Sequence, residues 1–182
     1  MGTERGTAAK RRADAVAAGM GVFAHQGLTT AAIQQIADEV GVSQPYVFRL
    51  FGSKQAIFLA CVDELEVRIR GVFRRAAAAS PDDPLRAMGA DFRDLIADGV
   101  ISGLWLQACA IARADETVAA RCRALICGVL EEAERLTAAT PEDLARFLAN
   151  GALVTVLQAV GADLTGGSQA AVNSLRAETV SS

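Results

Sequence analysis

The stretch 33–54, IQQIADEVGVSQPYVFRLFGSK, decides the fold. It reads as two short helices joined by a tight turn, with a third helix starting at its end. Ala37 is small enough to let two helices cross closely. Gly41 can take the positive φ that ends the first helix without a Cβ penalty, and Val47 fills the space between the pair. Ile36, Val40, Val42 and Leu50 supply a buried face. Ser43 is placed to cap the second helix, and Pro45 falls in its first turn, where a missing N–H costs little. This is a helix-turn-helix, a unit that lays its second helix in the major groove of DNA.

The flanks narrow the reading. Phe23-Ala-His-Gln-Gly27 precedes the unit and Phe51-Gly-Ser-Lys54-Gln-Ala-Ile-Phe58 follows it. Over about residues 10–62 these landmarks, in order and at this spacing, resemble the TetR family of bacterial transcriptional regulators. The resemblance implies an all-α chain: a three-helix DNA-binding head over 1–53, then a helical ligand-binding and dimerisation domain over 54–182. It also implies DNA contacts by Thr30, Gln34, Ser43, Gln44, Pro45, Tyr46, Arg49 and Lys54. The residue chemistry agrees. Gln44 can pair with adenine through its amide, Pro45 and Tyr46 offer apolar surface to thymine methyls, and Arg49 can reach guanine or phosphate. Lys54 and the amides behind Ser53 suit a phosphate. The chain departs from the family pattern in two places. The alcohol expected just inside the second helix is Ala31 or Ala32, leaving Thr30 to serve one residue early. Two phosphate donors expected near the end of the recognition helix are Phe48 and Leu50.

Taken in order, residues 1–6 read as a loose leader, and a first helix runs from about Thr7 to Gln26 with Val16, Met20 and Phe23 on one face. Its Lys10-Arg11-Arg12 cluster fits either a DNA backbone or a solvated helix start. Thr29 and Thr30 offer caps for the second helix, about 31–40, and the third spans about 43–50. A long fourth helix, about 54–79, repeats apolar residues from Ile57 to Phe73 at three-to-four spacing. Asp83-Pro84 opens a fifth, about 84–97, and a sixth covers about 102–113. A seventh covers about 116–138, and Thr140-Pro141-Glu-Asp143 caps an eighth that continues to about Val160. The eighth is apolar nearly all round, which suits a central core helix or an oligomer seam. The resemblance implies the seam: a homodimer through the seventh and eighth helices. It further implies an effector cavity with Leu65, Met88, Phe92, Trp105, Cys109 and Phe147 as lining and Gln107 or Arg93 as polar anchor. An apolar or aromatic small molecule suits such a lining.

The net charge of −3 hides an asymmetry: residues 1–54 carry six Lys/Arg against four acids, the remaining 128 twelve against seventeen. A basic head on an acidic body suits a protein that meets phosphate at one end. The longest apolar run, Ala15–Ala24, is ten residues, about half a membrane span, so a cytoplasmic protein without membrane contact is expected. No phosphate loop, metal cluster or nucleophile elbow accompanies the single His25, so neither enzyme activity nor a cofactor or metal is expected. The function expected is a dimeric, effector-released regulator, most simply a repressor, on a palindromic double-stranded DNA operator. A thiol-sensing regulator using Cys61, Cys109, Cys122 or Cys127 is the alternative, and a structural dimer whose head has lost DNA binding is a further rival.

Overall fold

The structure is a computed structural model describing residues 2–180, with side-chain environments over 7–177. Among these residues the architecture is all-α, as expected: α1 (Gly2–Gln26), α2 (Thr30–Val40), α3 (Gln44–Phe51), α4 (Lys54–Ala79), α5 (Pro84–Ile96), α6 (Val100–Ala112), α7 (Glu116–Leu136), α8 (Pro141–Ala159) and α9 (Gly167–Val180). No single helix among them is long and apolar enough to cross a membrane.

Four local expectations are corrected or resolved. First, α1 reaches back to Gly2, where a leader over 1–6 was expected; Met1 lies outside the described residues. Extending a formed helix adds a hydrogen bond per residue, so the isolated Gly6 does not stop it. Second, Thr29 rather than Thr30 caps α2, its Oγ1 accepting from the Ala32 N–H at 3.0 Å. Third, Ser43 holds the N-cap position of α3 but its side chain caps nothing. Pro45 removes one N–H it would serve, and the Tyr46 N–H is taken by the Ser43 carbonyl at 2.9 Å. Fourth, the tail, whose residues 168–178 the sequence leaves open between a short helix and a loose end, forms a helix, α9.

The chain packs as two compact units. The first joins residues up to 66 with 103–125. Phe23 and Phe58, both fully buried, meet edge-to-face at 5.3 Å in its core. α2 ends on Gly41 at φ +70°, with the Val42 N–H returning to the Ala37 carbonyl at 2.9 Å. Gly103 brings α6 so close to α1 that a Cβ there would sit 3.1 Å from the Ala24 carbonyl oxygen. Gln55 donates to Asp115 at 2.6 Å, and Arg121 bridges Asp63 and Glu66.

The second unit joins 67–102 with 126–180. Phe73 lies edge-on to both Phe92 (6.4 Å) and Phe147 (5.3 Å). Thr140 and Asp143 form the expected capping box at the start of α8. One face of that helix is buried through Leu144, Val154 and Leu157. Leu153, Val156 and Val160, at 40%, 50% and 65% exposure, leave an apolar stripe on the other.

Glu132 is the charged centre of this unit. It is 1% exposed and accepts from Arg70 at 2.9 Å, from Arg74 at 2.9 and 2.8 Å, and from Arg135. The Arg74 hydrogen bonds, seconded by Arg135 and Arg70, overcome burial and hold the carboxyl far below the usual range. A depressed carboxyl stabilises the fold fully above its unfolded value near pH 4.3, and that stability is lost as pH falls toward the folded value. Glu132→Gln should therefore destabilise by about 1–3 kcal/mol at neutral pH. In urea titrations the gap between the two proteins should narrow steadily below about pH 4.

Candidate nucleic-acid interface

The geometry of α3 follows from which of its residues must be inside. Val47 and Phe51 are buried, which turns Pro45 and Arg49 to solvent and leaves Gln44 and Tyr46 half-buried at its first turn. Arg49 folds back over the Tyr46 ring, 4.6 Å from its centre, so the two present one stacked surface. Gln44 donates a long 3.4 Å hydrogen bond to the Thr30 carbonyl, which brings the starts of α2 and α3 together. A contact that long is readily exchanged for a base edge. α3 carries no acid, so the field at this face comes from Arg49, the exposed Lys54 and the helix N-termini. Ser53 caps α4 by accepting from the Ala56 N–H at 3.0 Å.

Of the proposed DNA contacts, Thr30, Gln44, Tyr46 and Arg49 gather on this surface, with Ser43 and Pro45 exposed at the turn and Lys54 exposed at the start of α4. Gln34 is exposed but spends its amide on Asp38 at 2.8 Å, one turn along its own helix.

Two members of the basic cluster of α1 find partners within the protein. Arg11 donates to the Val40 carbonyl at 2.9 Å. Arg12 donates to the Leu50 carbonyl at 2.7 Å and lies 4.1 Å from the centre of the Phe51 ring. Both guanidiniums are turned onto the protein, at the C-terminal turns of α2 and α3. The sequence shows the charges but not their targets, which lie 29 and 38 residues away.

The residues expected around an effector divide between the two units. Leu65 is fully buried, and Trp105, Gln107 and Cys109 are half-buried, in the first. The Gln107 amide lies against the corner at Gly27, which has φ +65°. In the second unit Met88 is fully buried, and Phe92 and Phe147 flank Phe73. Burial, helped by the neighbouring Cys122, pushes the Cys109 thiol up to about 11, and burial raises Cys122 as well. Groups of His, Cys, Asp or Glu able to hold a metal ion do not occur among the described residues.

Comparison with known proteins bears on the family and the fold. Residues 15–61 match the family model described as bacterial regulatory proteins, tetR family. A crystal structure assigned to a TetR-family transcriptional regulator from Mesorhizobium loti MAFF303099 is similar in fold, with a TM-score of 0.59 at 15% identity. That match covers 83% of this chain and 76% of the other. Among curated proteins none matches the chain.

The interface carries a direct expectation. In duplex titrations by fluorescence anisotropy, Gln44→Ala should cost about 1–3 kcal/mol of binding and relax the preference at a single base pair. Arg49→Ala should weaken binding and also expose the Tyr46 ring it now covers.

Proposed function

The chain belongs to the TetR family of bacterial regulatory proteins and is a DNA-binding transcriptional regulator; on that premise we propose that it is a dimeric repressor released from a palindromic operator by a small apolar or aromatic effector. Residues 1–53 are the DNA-binding domain in this reading, and 54–182 bind the effector and form the dimer. The observation that carries it is the outward surface of α3, where Gln44, Tyr46 and Arg49 converge with Thr30 while Val47 and Phe51 anchor the helix from behind. Pro45 adds apolar surface beside those readers, Thr30, Ser43 and Lys54 flank them as backbone contacts, and Gln34 joins them by releasing Asp38. A protein of this kind works in the cytoplasm, where its DNA is.

The dimer is supported by the stripe of Leu153, Val156 and Val160 on α8, too apolar to be left in water along a helix that already buries its opposite face. A single head buries little on DNA, and two heads on successive major grooves, about 34–36 Å apart, supply the affinity. The aromatic group of Phe73, Phe92 and Phe147, with Met88, favours an apolar or aromatic effector. Within the first unit, Leu65, Trp105, Gln107 and Cys109 are the residues this reading offers to the effector. α4, unbroken from Lys54 to Ala79, is suited to carry the response. Release then requires only that the effector prefer the spacing that does not match the operator.

Thiol sensing is the weaker alternative, because sensor cysteines are exposed thiolates and Cys109 and Cys122 are pushed the other way.

Selection from random DNA with the purified chain should enrich a palindrome. Val156→Lys should convert the dimer to single protomers in sedimentation and lower operator affinity by about a hundredfold or more. Enrichment of one unrepeated half-site by a monomeric wild-type chain contradicts the proposal.

A further inference from the structure

α3 has only eight residues, no side-chain cap at its start, and a C-terminal turn that ends on Gly52 at φ +86°. A helix this short has no stability of its own, so its direction is set by whatever holds its two ends. At the front, Gln44 makes only the long contact to Thr30. At the back, the last carbonyls of a helix lack partners and carry partial negative charge. Arg12 meets both needs there: it donates to the Leu50 carbonyl at 2.7 Å and its planar face covers the Phe51 ring at 4.1 Å. Arg11, next to it on α1, donates to the Val40 carbonyl at the last turn of α2. Two consecutive arginines on one helix thus each hold the end of one helix of the pair.

We infer that Arg12 is a positioning residue for sequence discrimination, setting the pitch of α3, and so the reach of Gln44 and Arg49, from the protein side rather than by touching DNA. This rests on the operator-binding reading above. Leu50 and Phe51, which Arg12 grips, directly follow Arg49 in the chain, so a change in that grip moves the reader next to it. Bidentate base contacts tolerate little displacement, whereas non-specific attraction to phosphate does not depend on the angle of α3. The two jobs of Arg12 call for a guanidinium: a lysine can donate to the carbonyl but presents no plane to the ring.

The test uses the full chain and the duplex that the wild-type protein selects from random DNA, alongside a scrambled duplex of the same composition, over a range of salt. For Arg12→Ala, affinity for the selected duplex should fall about tenfold, the scale of one charge-assisted hydrogen bond. Affinity for the scrambled duplex should stay within about twofold, with an unchanged salt slope. Arg12→Lys should recover part of the discrimination, and Phe51→Leu, which removes the stacked ring while keeping an apolar side chain in the buried anchor of α3, should lose part of it. Should Arg12→Ala reduce helical circular dichroism, those two milder variants decide by the same criterion. Equal losses on both duplexes, with a salt slope smaller by about 0.9, would make Arg12 a phosphate contact and overturn the inference. Unchanged discrimination in all three variants overturns it as well. A wild-type chain that enriches no duplex fails at the earlier step and speaks against operator binding itself.

Discussion

Ala37 and Val47, at 0% and 1% exposure, lie on the two helices of the turn unit, α2 and α3, which pack against each other and against α1. That packing needs a small residue on one side, a filling residue on the other, and a chain that reverses between them in very few residues. Gly41 at φ +70° supplies the reversal. Its Cβ would meet nothing within 4 Å, so the demand there is purely conformational. Once the crossing is set, Val47 and Phe51 point inward and the opposite face of α3 is presented to solvent. The proposed chemistry follows from this: the amide of Gln44 and the phenol ring of Tyr46 at the first turn and the exposed guanidinium of Arg49 at the last, with no acid on that helix.

Much of this was legible in the sequence because it is written in neighbours. Helix stops at Gly27 and Gly41, the Asp83 cap with its following proline, and the Thr140–Asp143 box are each encoded within about four residues. The apolar spacing of α4 likewise foretells its buried stripe from Ile57 to Phe73. What was not legible depends on distance along the chain. Lys10-Arg11-Arg12 reads as free charge until the fold brings the ends of α2 and α3 beneath two of its members. Ser43 reads as a cap until Pro45 and the backbone leave it no N–H to hold. Arg70, Arg74 and Arg135 give no sign in sequence that they share one buried carboxylate on Glu132.

The two kinds of charge serve different ends. Around Glu132 the carboxylate is buried and every guanidinium bond to it is satisfied within the second unit, which fits a fixed internal joint. Arg49 and Lys54 are exposed at the other extreme, where their charge is available to phosphate. Arg12 stands between these cases, exposed to water yet committed to a carbonyl and a ring.

Amide hydrogen exchange on the full chain, with and without the duplex it selects, tests the central claim most directly. The account predicts that DNA slows exchange most over the first turns of α2 and α3 and at the start of α4, around Thr30, Gln44–Arg49 and Lys54. Protection confined to other helices, with α3 exchanging as fast in the complex as in the free protein, would contradict it.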